Sequence, residues 1–88
     1  MTAMLSEAEA GAMTVARVVD ARGAACPGPL LEAKKSMATV AMGEILELWS
    51  SDPQTKADVA AWAAKVGHEF LGAAAAPGYD RVFIRRGK

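Results

Sequence analysis

The chain has a single cysteine and a single histidine, and each scarcity removes a class of function. One cysteine cannot close an internal disulfide, and secreted domains of this size usually depend on several, so the chain fits a reducing cytoplasm. One Cys and one His also fall short of the donors a tetrahedral metal site needs, and the sequence predicts neither a metal nor another cofactor. Aromatic residues make up only 6% of the chain, and ten Lys and Arg are balanced by ten Asp and Glu. Without a net positive field or interleaved aromatics, direct nucleic-acid binding is not expected. Charged residues interrupt the sequence throughout, so no run reaches the roughly 18 apolar residues that mark a membrane span. The opening segment carries Glu7 and Glu9 where an export signal would be basic, and it has no apolar centre.

What is present is enough for one modest core: 88 residues, 52% of them hydrophobic. Residues 1–14, rich in Ala, Met and Glu, show no sustained period and read as a flexible extension or weak helix ahead of a domain over 15–88. Val15, Val18 and Val19 form a strand that stops at Ala21-Arg22-Gly23. Beyond Cys26-Pro27-Gly28-Pro29, apolar residues at Leu30, Ala33, Met37, Val40 and Ala41 predict a helix ending near Gly43. A second strand spans Glu44 to Ser50. Asp52-Pro53, or Thr55 with Asp58, then starts a helix whose stripe is Val59, Trp62, Ala63 and Val66, with Gly67 as its stop. Two further strands, His68–Ala76 and Asp80–Arg86, are joined through Pro77-Gly78-Tyr79, and Val82 and Ile84 give the last strand one apolar face. The order is βαβαββ: an α/β two-layer sandwich with a four-stranded mixed sheet, its first two strands parallel and both helices on one face.

The chemistry-bearing segment is Gly23-Ala24-Ala25-Cys26-Pro27-Gly28-Pro29, placed at the C-terminal end of a parallel strand and running into a helix. The unpaired N–H groups and partial positive charge of a helix start favour a thiolate, which lowers the pKa of Cys26. Pro27 biases Cys26 towards an extended backbone and Pro29 fixes φ in the first turn, while Gly28 leaves the approach to sulfur uncrowded. Arg22, Lys34 and Lys35 add nearby positive charge. Asp20 and Asp52 are explained as turn and cap residues, and His68 follows the Gly67 stop with no Cys, Asp or Glu at metal spacing, so none is assigned a catalytic role. Trp62 reads as core, Trp49 as a half-exposed partner contact, and Arg85, Arg86 and Lys88 as a solvated basic end.

Val19-Asp20-Ala21-Arg22-Gly23, then Cys26-Pro27-Gly28-Pro29, Gly43-Glu44 and Ser51-Asp52-Pro53, make Val15 to Arg86 resemble the TusA/SirA-like family of sulfur-carrier proteins. That resemblance implies a sulfurtransferase acting as a relay, with a persulfide on Cys26 passed to the cysteine of a partner protein. Its partners would be persulfide donors and thiol acceptors, met in transient complexes by a monomer. Gly28 stands where many members carry a larger or acidic residue, and Ala24 and Ala25 where they carry Leu. The likeness leans towards carriers of oxidative or dissimilatory sulfur metabolism rather than tRNA thiolation or cofactor synthesis. The reading from another class is a protein-docking or regulatory module in which Cys26 is incidental and a sheet face bearing Trp49 and Phe83 recruits a partner.

Overall fold

The structure is a computed structural model and describes residues 4–5, 7–24 and 28–88. In chain order its elements are β1 (Met4–Leu5), α1 (Glu7–Gly11), β2 (Val15–Asp20), α2 (Gly28–Met37), β3 (Ile45–Ser50), α3 (Thr55–Val66), β4 (Glu69–Ala76) and β5 (Tyr79–Arg85). They build one sheet in the order β1-β4-β5-β3-β2. β2 runs parallel to β3, and β5 lies antiparallel between β3 and β4. The expected βαβαββ mixed sheet is thus β2 to β5, and β1 adds a two-residue fifth strand parallel to β4.

Strand alternation sends one set of side chains towards the helices. Val19, Leu46, Leu48, Ala73, Val82 and Ile84 meet Ala33, Met37 and Val40 from α2 and the turn after it, and Val59 and Ala63 from α3. Leu46, Leu48 and Val59 are fully buried, and burial of such side chains stabilises by about 1.5–3 kcal/mol each. Gly67 ends α3 with φ 88°, its N–H donating to the Ala63 carbonyl at 3.0 Å.

At the start of α3 the Asp52-Pro53 cap is kept, just ahead of the regular helix, and the Thr55–Asp58 box is not. The Asp52 side chain accepts from the Gln54 N–H at 2.9 Å, and the helix begins at Thr55. The Thr55 hydroxyl is committed to the buried Ser50 Oγ at 2.7 Å, so no capping box forms with Asp58. α2 stops at Met37, short of Gly43, because the chain turns there and other groups satisfy its last carbonyls. Thr39 Oγ1 donates to the Ser36 carbonyl at 2.7 Å, and Arg86 Nη1 donates to Val40 O at 2.6 Å and Met37 O at 3.4 Å. Arg86 is therefore a helix cap and not part of a solvated tail.

The largest difference lies at the N-terminus. Of the segment expected to be a flexible extension or weak helix, the described residues Met4–Leu5 pair with β4 and Glu7–Gly11 form a short helix, whose Ala10 covers the sheet face turned away from α2 and α3. Ala10 packs with Ile45, Ala74 and Phe83, flanked by Met13, Val15 and Leu71. Under that cover Phe83 is fully buried, and with Arg81 and Arg85 on its side of the strand it makes the mixed second face of β5, opposite the apolar face of Val82 and Ile84. Ala73 and Ala74 lie buried on opposite faces of β4. Their small side chains let a layer approach from each side, which is why an alanine run serves as a strand here.

Candidate functional site

β2 and β3, being parallel, end at the same edge of the sheet, and their following loops meet there. The Ala21 N–H extends the ladder to Trp49 O at 2.9 Å, and the Ala24 N–H closes a turn on Ala21 O at 3.2 Å. Within that turn Gly23 takes φ 87°, a left-handed value that disfavours a side chain. Its N–H donates to Ser51 Oγ at 2.9 Å, across a sequence separation of 28. The Ser51 turn is itself anchored: the Asp52 N–H donates to Ser50 Oγ at 3.1 Å, and Ser50 is paired with Thr55 in the core. Two polar links therefore connect the Gly23 backbone to the interior.

On the far side, Gly28 opens α2 and Pro29 is fully buried. A Cβ on Gly28 would stand 3.2 Å from the Cβ of Ala24. Ala24 and Gly28 thus come close together, and Gly28 serves this close approach beyond leaving open space. Cys26 and Pro27, with Ala25, lie between them and outside the described residues. Of the predicted site residues, the structure brings Gly23, Gly28 and Pro29 into one frame around that position.

The charge around this frame is not as the sequence suggested. Arg22 and Asp20 form a two-pronged pair, Nε to Oδ1 at 2.9 Å and Nη2 to Oδ2 at 2.7 Å, and the Arg22 N–H adds a third bond to Oδ1 at 3.1 Å. These bonds, the side-chain pair first, hold the Asp20 carboxyl down to about 2. The same guanidinium stacks 5.0 Å from the ring centres of both Trp49 and Tyr79. Arg22 is therefore paired with a carboxylate and held against two rings. Lys34 and Lys35 sit in the last turn of α2, about 9–10 Å along the axis from Gly28, where they complement the negative helix end. What remains at the front is the start of α2, with no acidic side chain in its first turn. Glu32, the carboxylate of this helix, follows in the next turn.

Sequence reasoning missed the Arg22 stack and the Ser51 brace. The first is signalled by Asp20 and Arg22 spaced i, i+2 at a strand end, with an aromatic residue directly across at Trp49. Trp49 is half-buried, and its indole N–H donates to Glu47 Oε2 at 2.5 Å, where Arg81 also donates at 2.8 Å. His68 lies at the opposite end of α2, edge-on to Trp62 with ring centres 5.2 Å apart. Among the described residues, no group of His, Cys, Asp and Glu is placed to hold a metal, and no helix is long and apolar enough to cross a membrane.

The family model described as "Sulfurtransferase TusA" matches residues 17–86. A Bacillus subtilis protein, YrkF, whose name proposes a sulfur-carrier role, is 44% identical over 70 residues; the match covers 80% of this chain but only 38% of YrkF. An Archaeoglobus fulgidus protein whose name proposes the same role is 41% identical over 69 residues, covering 78% of this chain and 94% of the relative. The sulfur carrier protein TusA of Pseudomonas entomophila is 32% identical over 68 residues, covering 77% and 85%. The crystal structure of a SirA-like protein from Desulfitobacterium hafniense superposes with a TM-score of 0.65 at 24% identity, over 82% of this chain and 99% of that one, which shows the shared fold. With its strand-to-helix loop framed by Gly23 and Gly28 and the family match spanning both, the chain belongs to the TusA sulfurtransferase family.

Proposed function

We propose that this chain is a sulfur carrier that holds sulfane sulfur as a persulfide on Cys26 and passes it to a cysteine of a partner protein. The observation that carries this reading is the sequence position of the sole cysteine, two residues ahead of α2 and between the braced Gly23 turn and Gly28, in a chain of this family. In loading, the Cys26 thiolate attacks the outer sulfur of a donor persulfide. A bond forms between Cys26 Sγ and that sulfur, the donor's S–S bond breaks, and the donor leaves as a thiolate. Delivery repeats the exchange, with the acceptor thiolate attacking the carried sulfur and Cys26 leaving. No oxidant or reductant is consumed. No second thiol in the chain can discharge the persulfide internally, so the sulfur waits for a partner. The helix start favours the thiolate both as nucleophile and as leaving group.

Intact-protein mass spectrometry after incubation with a sulfane-sulfur donor tests the reading. Addition of sulfur that reductant reverses, and that Cys26→Ser abolishes, is the expected result. An unmodified wild type whose Cys26 is also inert to alkylation in the folded state would overturn it. The competing docking module loses one of its two named contacts, because Phe83 is fully buried under the N-terminal segment.

A further inference from the structure

At the end of the molecule opposite the Cys26 loop, a pocket of about 140 Å³ is lined by Lys34, Met37, Ala38, Trp62, His68, Arg86 and Lys88. Its chemistry is one-sided. Three cationic side chains converge on it, no Asp or Glu side chain lines it, and the chain as a whole is neutral. Glu69, the acidic neighbour of His68 in sequence, is committed to Arg85 at 2.9 Å.

The cations are unequal, and Arg86 is held in place. Its Nε donates to Lys88 O at 2.6 Å and its Nη1 to Val40 O and Met37 O, leaving the two N–H groups of Nη2 without an acceptor among the described residues. Those bonds to the end of α2 also satisfy carbonyls that would otherwise oppose a negative ligand. Lys34 and Lys88 are exposed and make no ion pair among the described residues. His68 Nδ1 accepts the Gly87 N–H at 3.0 Å, which requires the neutral tautomer with its proton on Nε2 and leaves that N–H as a further donor. Burial, and then the charge of Arg86, hold His68 below its ordinary pKa, in keeping with that tautomer. Trp62 and Met37 supply an apolar wall.

We propose that this pocket binds a small inorganic oxyanion of the tetrahedral dianion class, sulfate, thiosulfate or phosphate. A pocket of this volume holds several water molecules, so it has room for such an ion with part of its hydration. α2 is ten residues long, about 15 Å, so the site is separate from Cys26 and stands whether or not Cys26 carries sulfur.

The test is an amide and indole NMR titration of the full chain in a Cys26→Ser background, which keeps thiosulfate from reacting with the thiol. Sodium thiosulfate, sulfate and phosphate are added at constant ionic strength maintained with chloride. Saturable shifts centred on His68, Arg86, Gly87 and the Trp62 indole are expected, with Lys34→Gln/Lys88→Gln weakening binding about tenfold, the scale of two exposed charge contacts, and Lys35→Gln leaving it unchanged. Tighter binding of thiosulfate would assign the site to sulfur oxyanions, and equal binding of all three to tetrahedral dianions generally. Shifts no larger than those from chloride, shifts centred on Gly23 and Gly28, or an affinity unmoved by the double variant would each overturn the proposal.

Discussion

Glu47 is 4% exposed on the sheet face turned away from α2 and α3, and its carboxylate is satisfied by Arg81 at 2.8 Å and the Trp49 indole at 2.5 Å. The two ends of this ion pair differ: the Arg81 side chain is 29% exposed and that of Glu47 is 5% exposed. Arg81→Met strands a buried carboxylate, while Glu47→Gln frees a guanidinium that already reaches water and leaves an amide oxygen to accept from Trp49. Losing a hydrogen bond to a charged group costs about 1.5–3 kcal/mol, and breaking a fully buried pair from one side about 3–5. With one partner at the surface, the lower range applies, about 2–3 kcal/mol for Arg81→Met and about 1 for Glu47→Gln. At about 4–8 °C per kcal/mol for a domain of this size, the midpoint falls by about 10–20 °C in the first variant and by about 5 °C in the second. The double variant has no buried charge and should resemble Glu47→Gln alone, a coupling of about 2–3 kcal/mol. Urea and thermal unfolding followed by circular dichroism measure all three. Equal losses in the single variants, or a double variant whose loss is their sum, would refute the reasoning.

Ser51→Ala removes the acceptor of the Gly23 N–H, so stability should fall by less than about 1 kcal/mol while alkylation of Cys26 shifts to higher pH as the thiolate loses its fixed seat; an unchanged profile would make Ser51 a bystander. Ser50→Ala leaves the buried Thr55 hydroxyl without its partner and should cost about 1–3 kcal/mol in urea unfolding, part of it recovered in Ser50→Ala/Thr55→Val. His68 is held below its ordinary value by burial and Arg86, so its neutral form contributes stability that is fully present above pH 6.5 and declines as the pH falls below it. Comparing thermal midpoints of wild type and His68→Gln across that range should show the decline in wild type only.

The elements that sequence reading placed well carry their own punctuation. The stripe of Val59, Trp62, Ala63 and Val66 and the stop at Gly67 are local signals, and α3 follows them, although Val66 in its last turn is exposed rather than packed. The parallel pairing of β2 with β3 follows from a helix between two short strands. What could not be read depends on partners distant in sequence. The burial of Phe83 comes from Ala10 and Met13, residues whose own segment has no period. Arg86 resembles a basic tail until Val40 O is found beside it, 46 positions away in sequence. At the site, the sequence marked Gly23 and Gly28 as backbone positions, but not that Gly23 is held by Ser51 or that Arg22 pairs with Asp20.

The covering of the second sheet face has a bearing on how long the protein survives in a cell. Ile45, Ala74 and Phe83 lie under Ala10 and Met13, on the opposite side of the sheet from the core that α2 and α3 build. Undocking of the N-terminal stretch would leave the Cys26 loop and that core standing while baring apolar surface to chaperones, proteases and other unfolded chains. The quantity of carrier and its chemical competence are in this way governed by different parts of the chain.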